Sequence, residues 1–493
     1  MLHPDDAVVL EIPYRDPVVA FQPLASQPFA QLLVCAPPAP AGAHVAGVPA
    51  PVGGGRYSFI VADPCDTLIA RGGRIETAGG GAATGIPFEA LRARLKATPL
   101  PSVPGYPPFQ GGAVGFFGYE LHHHLETIRP SVRQDASVPD MAFGFYECVA
   151  VFDQARQKAF VLSWPLTGTR AQAETRARAL AARLGRGGLS VPEYAPAPPP
   201  RSNLSRAAYE AAVARVIEHI FDGDIYQANV SQSFSSQVAS PDHAFDLFRR
   251  LHALSPVPYG AYMTFPGLVL ASNSPERFVR LSHPQSQRLV ETRPIKGTAP
   301  RGGDPAQDAA RARALLRSEK DRAENVMIVD LLRNDLSKVC EDESVLVTGL
   351  CEVESYTAIH HLVSTVVGVL RPGCDAVDLV TACFPGGSIT GAPKVRAMEI
   401  IAQEEGSARG AYCGAIGYLG FDGSMDTSIA IRTLSFTPVS GEEALDLSFR
   451  VGGGITARST PAAEYQESLD KAAAFFRALT APPETLPECS LFR

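Results

Sequence analysis

The chain has 493 residues, 45% of them hydrophobic and 19% charged, with a net charge of −7. That composition can bury a large core, and length alone allows about three domains of ~150 residues each. The mildly acidic balance gives no electrostatic reason to seek nucleic acid or an anionic membrane, so an anionic ligand must be met by local clusters of Lys and Arg. The first fifteen residues are polar and lack the basic and apolar regions of a signal peptide. From Pro17 to Gly55 there is no Asp, Glu, Lys or Arg. Pro and Gly interrupt this segment, and no apolar run approaches ~20 residues, so it reads as buried strands and loops. Strand-like runs follow at 57–62, 143–152 and 159–164, then an Ala- and Arg-rich helix at 170–184. Residues 185–204 hold a Gly- and Pro-rich connector. Beyond it, Tyr209, Val213, Val216 and Ile220 mark one helix face. Strand runs at 261–264, 268–272, 415–421 and 428–436 then mix with helices at 319–336, 392–403 and 463–478. This order predicts an α+β (mixed α/β) fold without regular βαβ alternation.

The nine cysteines form no CxxC pair. They predict neither a disulfide framework nor a zinc knuckle, and fit reduced thiols in the cytoplasm. Gly111-Gly-Ala-Val-Gly-Phe-Phe-Gly118 lacks the strand–turn–helix setting and acidic partner of a dinucleotide site. In Gly386-Gly-Ser-Ile-Thr-Gly-Ala-Pro-Lys394, Pro393 separates glycine from lysine and no Ser or Thr follows, which excludes a phosphate loop. The run His122-His-His124 reads as a solvated surface feature.

Chemistry concentrates elsewhere. Asp321 and Glu324 share one helix face, as do Glu464 and Glu467. Either pair alone fits a solvated face. The apolar residues around the first helix after Glu324 argue for burial, and buried acids need partners. A hard divalent cation such as Mg²⁺ suits carboxylates from two helices and leaves positions open for a substrate carboxylate. Arg293, Lys296 and Arg301 lie on one Pro- and Gly-punctuated segment. Lys296 can be a salt-bridged turn residue, or an amine that loses its proton in a partly apolar setting and acts as base or nucleophile. Arg432 ends an apolar strand, Lys471 lies one turn past Glu467, and Arg450 precedes Val451-Gly-Gly-Gly-Ile455, whose backbone can reach a carboxylate. Together these residues describe a site for a small di-anion held by metal and bases.

Ordered motifs from about Tyr209 to Leu479 then carry a resemblance. They are Asp222-Gly-Asp-Ile-Tyr-Gln-Ala-Asn229, Ser274-Pro-Glu-Arg-Phe278, Arg293-Pro-Ile-Lys-Gly-Thr298, the helix around Glu324, Ile359-His-His-Leu-Val-Ser364, Phe384-Pro-Gly-Gly-Ser-Ile-Thr-Gly-Ala-Pro-Lys394, Met425-Asp-Thr-Ser-Ile-Ala-Ile-Arg432, Gly452-Gly-Gly454 and Glu464-Tyr-Gln-Glu467. Looser matches are Arg56-Tyr-Ser-Phe-Ile-Val-Ala-Asp-Pro64 and Phe109-Gln-Gly-Gly-Ala-Val-Gly-Phe-Phe-Gly-Tyr119. The chain resembles the chorismate-utilising enzymes, and within them the aminodeoxychorismate-forming branch of p-aminobenzoate and folate synthesis.

The resemblance implies an anthranilate-synthase-component-I-like fold: two antiparallel β-sheets packed as a sandwich, with helices outside. It implies an N-terminal region (1–184) interleaved with a chorismate-binding catalytic domain (205–482). Glu324 and Glu467 then look like Mg²⁺ ligands, with Asp321 and Glu464 as neighbours. Arg432, Lys471, Tyr412, Gly297, Thr298 and the backbone of Gly452, Gly453 and Gly454 look like the chorismate grip. Glu276 matches the general acid, and His361 lines the same site. Gln227 stands where water-adding relatives carry a lysine base, which argues against isochorismate synthesis. Anthranilate synthases resemble Pro-Ile-Ala-Gly-Thr where this chain has Lys296, the residue expected to form a covalent adduct with the ring. A tryptophan pocket, as found in some relatives, is expected at Cys35, Arg56, Tyr57, Pro258, Tyr259 and Gly260, although Cys35 replaces the usual serine. No glutaminase motif is present, so ammonia is expected either free or from a partner glutamine amidotransferase in a heterodimer. The alternatives are anthranilate synthase component I and an aminating homologue of secondary metabolism.

Overall fold

The computed structural model describes residues 2–36, 55–101, 103, 105–129, 137–186, 197–283, 287–356 and 359–480. Two twelve-stranded sheets form. Pairing is antiparallel throughout the described residues. Along the first sheet run 8–12, 158–163, 148–153, 57–61, 31–34, 259–265, 268–274, 433–438, 445–455, 227–238 and 201–202, with 391–392 beside 227–238. The second runs 295–300, 359–369, 289–293, 277–282, 425–429, 415–420, 112–117, 141–146, 66–71, 74–77 and 82–84, with 346–355 beside 359–369. Each sheet therefore draws strands from both sides of residue 200. Of the 185–204 connector, residues 187–196 lie outside the described residues, as do 481–482 at the far end.

Side-chain alternation explains the layers. Ala261 and Met263 join Phe59, Val114, Phe116 and Tyr418 in a core between the two sheets. Tyr262, between them in sequence, faces the other way, toward helices Pro17–Phe21, Arg170–Leu184, Pro241–Leu254 and Pro461–Thr480. Ala113 and Phe117 face away from Val114 and Phe116, toward helices Pro87–Ala97, Glu319–Ser337 and Ala376–Cys383. The order is helices, sheet, sheet, helices. Gly112–Phe117 is a central strand, not a nucleotide turn; a Cβ at Gly115 would stand 2.8 Å from the Cα of Phe143. Among the described residues, no helix is long and apolar enough to cross a membrane, and all eight cysteines are unpaired.

Four expectations change. The 143–152 run is two strands, Met141–Tyr146 in the second sheet and Cys148–Asp153 in the first. The chain crosses at the buried Glu147, whose carboxylate accepts from the amide and hydroxyl of Thr167. The 428–436 run breaks likewise, because Met425–Ile429 belongs to the second sheet and Thr433–Pro438 to the first. Hydrophobic periodicity does not register which sheet a strand joins. The helix Glu319–Ser337 is not buried all round: Val326 is 46% exposed, and only the face of Asn325, Ile328, Val329 and Leu332 packs inward. His122 is buried rather than solvated, its Nδ1 2.7 Å from the Tyr119 carbonyl.

Candidate active site

Strand Ile295–Pro300 pairs with Ile359–Val369 through a bulge. Ile295 lies opposite Val363 and Thr298 opposite His361, so Lys296 and Gly297 occupy the extra position. Gly297 has φ of +89°, and a Cβ there would come 2.9 Å from Cβ of Asp321. Glycine permits both the left-handed backbone and the close approach of the acidic helix. The bulge turns Lys296 into the cleft. Part of the lysine remains accessible, yet its surroundings are protein on most sides. Burial lowers its pKa, while Glu324 and Glu276 oppose that shift.

Glu276 is 5% exposed, and its backbone carbonyl accepts from the Ile429 amide. Burial raises its carboxyl pKa to about 7; hydrogen bonds from the Ser388 hydroxyl and the Ile295 backbone, and the charge of Lys296, restrain the rise. Thus an amine pushed toward neutrality faces a carboxyl pushed toward protonation, the pattern of a site with assigned base and acid roles. Thr298 Oγ1 lies 2.8 Å from His361 Nδ1. Burial first, then the charge of Arg432, lowers the His361 pKa to about 3, so the ring is neutral at physiological pH.

Helices Glu319–Ser337 and Pro461–Thr480 bring the carboxylates together. The charge of Glu467 pushes up both Glu324 and Glu464. Burial raises Glu324 and Glu464. For Glu467 burial acts upward too, but Lys471, Lys320 and Lys296 pull the net direction down. Glu324 Oε1 and Glu464 Oε2 are buried and lack a hydrogen-bond partner. Such carboxylate oxygens cost stability unless a cation meets them, so the donor set fits a hard divalent ion. Among the described residues, no group of three or more His, Cys, Asp or Glu side chains is placed to hold a metal ion by itself. An ion here must therefore share its shell with water or substrate.

Beside the carboxylates lies the glycine ledge. A Cβ at Gly453 would stand 3.1 Å from Glu464 Oε2, 3.3 Å from Glu467 Oε1 and 3.5 Å from Lys471 Nζ. Lys471 Nζ donates to the Gly452 carbonyl at 2.8 Å and pairs with Glu467 at 2.8 Å. Gly454 abuts the side chain of Gln227, which is fully buried with both amide atoms unpartnered. Arg432 sits where the chain passes between sheets, with φ of +52°. Burial alone shifts its guanidinium, downward, and among the described residues no carboxylate pairs with it. An incoming carboxylate would supply the missing partner. The Tyr412 ring lies 5.6 Å from the Arg409 guanidinium, and the residues after it join the segment leading to Arg432: the Cys413 amide donates to the Ala430 carbonyl and the Ala430 amide to the Gly414 carbonyl.

A second cavity, of about 90 Å³, includes Cys35, Tyr57, Pro258, Tyr259 and Gly260 among its lining residues, together with Tyr418, Arg277 and Asp426. The expected member Arg56 is not part of its wall. Its Nε donates to Asp153 at 2.9 Å instead, an ion pair on strand Cys148–Asp153 that no local motif announced. Burial pushes the Cys35 thiol up to about 12, so it is inert.

Reading from sequence missed two residues. Ser388 binds Glu276, but its motif signalled only a Gly-rich turn. Lys320 stands four residues before Glu324, a legible helix pair at 4.0 Å, and received no role.

The family model described as chorismate binding enzyme matches residues 51–477. The chain is 40% identical over 428 residues to aminodeoxychorismate synthase component 1 of Salmonella typhimurium, covering 84% of this chain and 88% of that one. It is 37% identical to anthranilate synthase component 1 of Streptomyces coelicolor, covering 92% and 85%. The crystal structure of anthranilate synthase component I from Streptococcus pneumoniae superposes with a TM-score of 0.76 at 31% identity, over 86% of this chain and 92% of that one.

Proposed function

The chain belongs to the chorismate-binding enzymes, and we propose that it converts chorismate and ammonia to 4-amino-4-deoxychorismate and water, for p-aminobenzoate and folate synthesis. The observation that carries this reading is Lys296 in the bulge, facing Glu276.

The neutral Lys296 amine attacks the ring. A C–N bond forms, the ring double bond shifts, and the ring C–O bond breaks. Glu276 gives its proton so that the hydroxyl leaves as water. Ammonia then adds at the carbon that lost the hydroxyl. The double bond shifts back, Lys296 departs as the amine, and the surplus proton returns to Glu276. Arg432 holds one substrate carboxylate, while Thr298 and the 452–454 backbone shape the cleft, with Lys471 fixed on Gly452. Gln227 cannot deprotonate water, which supports amine over water as the nucleophile. His361, neutral and bonded to Thr298, orients that wall.

Glu324 and Glu467, with Asp321 and Glu464 adjacent, would hold Mg²⁺; their unpartnered oxygens support this. When bound, the ion supplies a Lewis-acid anchor for a carboxylate. Relatives named component 1 support a partner, which we take to be a glutamine amidotransferase supplying ammonia. The unpaired thiols support a reducing, cytoplasmic setting.

The test is incubation with chorismate, Mg²⁺ and ammonium, followed by mass-spectrometric identification of the product. Aminodeoxychorismate is expected. Direct formation of fluorescent anthranilate would overturn the reading in favour of anthranilate synthase, the name of equally extensive relatives.

A further inference from the structure

Lys320 is used by none of the steps above, yet it stands over the carboxylate cluster. It opens the helix Glu319–Ser337, one residue before Asp321, with its Nζ 4.0 Å from Glu324 Oε1. That oxygen has no hydrogen-bond partner, and 4.0 Å is too long to provide one. The other two lysines that act on the cluster are held in place: Lys471 by the Gly452 carbonyl and Glu467, each at 2.8 Å, and Lys296 in the floor of the cleft between Glu324 and Glu276. Lys320 alone combines a loose contact with an exposed side chain, at 45%. Its charge acts on Glu324, Glu464 and Glu467, so one ammonium serves carboxylates from both helices.

We propose that Lys320 is a tethered counter-cation for the metal subsite, resting beside Glu324 when no divalent ion is bound and displaced outward when one binds. The inference rests on the reading of those carboxylates as metal ligands. Buried acids at this spacing repel each other and hold themselves apart unless a cation stands among them. A flexible lysine supplies that charge without closing the site, because its stem needs only a rotamer change to release the acids to the ion. The consequence is competition: the protein's own ammonium weakens metal binding in the substrate-free enzyme.

The experiment is Mn²⁺ titration of the full chain without substrate, reading free Mn²⁺ by electron paramagnetic resonance. It compares the unaltered protein, Lys320→Gln, Lys320→Arg and Glu324→Gln. Lys320→Gln should bind Mn²⁺ about fivefold more tightly, since the ion must otherwise displace an ammonium 4.0 Å from Glu324, an attraction of about that factor even with water-like screening. Lys320→Arg should stay within about twofold of the unaltered protein. Unchanged or weaker binding by Lys320→Gln, with Glu324→Gln still abolishing it, would overturn the counter-cation role and leave the metal reading intact. Binding that survives Glu324→Gln, or no binding by the unaltered protein, would overturn both. A raised KM for chorismate with unchanged Mn²⁺ affinity would make Lys320 a substrate ligand instead and overturn the proposal.

Discussion

Glu276→Gln separates the chemical role of this carboxyl from its structural role, because the structure gives the two effects opposite signs. The side chain is almost fully buried, with a pKa of about 7 against 4.5 for an ordinary carboxyl. Near neutral pH it is about half protonated, so it can deliver a proton; at pH 9 it is almost entirely a carboxylate. A positioned general acid contributes roughly 10²–10⁴-fold. Glutamine keeps the shape, its oxygen can accept from the Ile295 amide, and its amino group can donate to Ser388, but it has no proton to give. The turnover rate should fall by about 10²-fold or more at pH 7, and the decline in rate above pH 7 that reports Glu276 should vanish. Stability should move the other way. The native carboxyl holds its proton more tightly than the unfolded one, so its contribution is fully present below about pH 4.5 and lost as pH rises through about 7. Above that, the fold carries a buried charge only partly offset by Lys296. An uncharged amide removes the cost, at most roughly 3 kcal/mol for this shift. The assay pairs initial rates with ammonium from pH 6 to 9 with thermal melts at pH 5 and pH 8.5. Glu276→Gln should melt higher than the unaltered protein at pH 8.5, by a margin that shrinks at pH 5. Near-normal turnover would refute the acid role, and a lower melting temperature at pH 8.5 would refute the account of the buried charge.

Lys296→Ala should reduce product formation by about 10³-fold or more while chorismate binding persists; normal turnover would remove the lysine from the covalent step, and mass spectrometry of the quenched, unaltered enzyme should find a ring adduct on residue 296. Arg432→Ala should raise KM for chorismate about 30-fold, from loss of a charge-assisted contact of about 2 kcal/mol, with little loss of stability because no carboxylate among the described residues pairs with the guanidinium; a fall in Tm with unchanged KM would contradict the anion-grip reading. Gly297→Ala should cost both stability and activity, since it forces a side chain into a left-handed φ and against Asp321; an unaltered Tm would show that the bulge relaxes freely.

The sequence alone carried the chemistry: which acids share a helix face, which lysine precedes a turn glycine, and which ordered motifs tie the chain to its family. Those are local facts, set by helical spacing and by what glycine and proline do to backbone. It also carried the layered fold, through the family resemblance rather than through periodicity. What it could not carry was partnership across the fold. The runs at 143–152 and 428–436 look continuous because apolar alternation persists while the chain changes sheets, and the second crossing is what leaves Arg432 half-buried without an acid among the described residues. Arg56 lay in the right motif for the second cavity, but Asp153, ninety-seven residues away, claims it. Ser388 acquires a role only where its loop meets Glu276, and Lys320 only where a second helix adds Glu464 and Glu467 to the acids its charge acts on. The raised pKa of Glu276 and the lowered pKa of Lys296 belong to tertiary structure for the same reason: each comes from desolvation working against opposite charges distant in sequence, and neither exists until the chain has closed around the cleft.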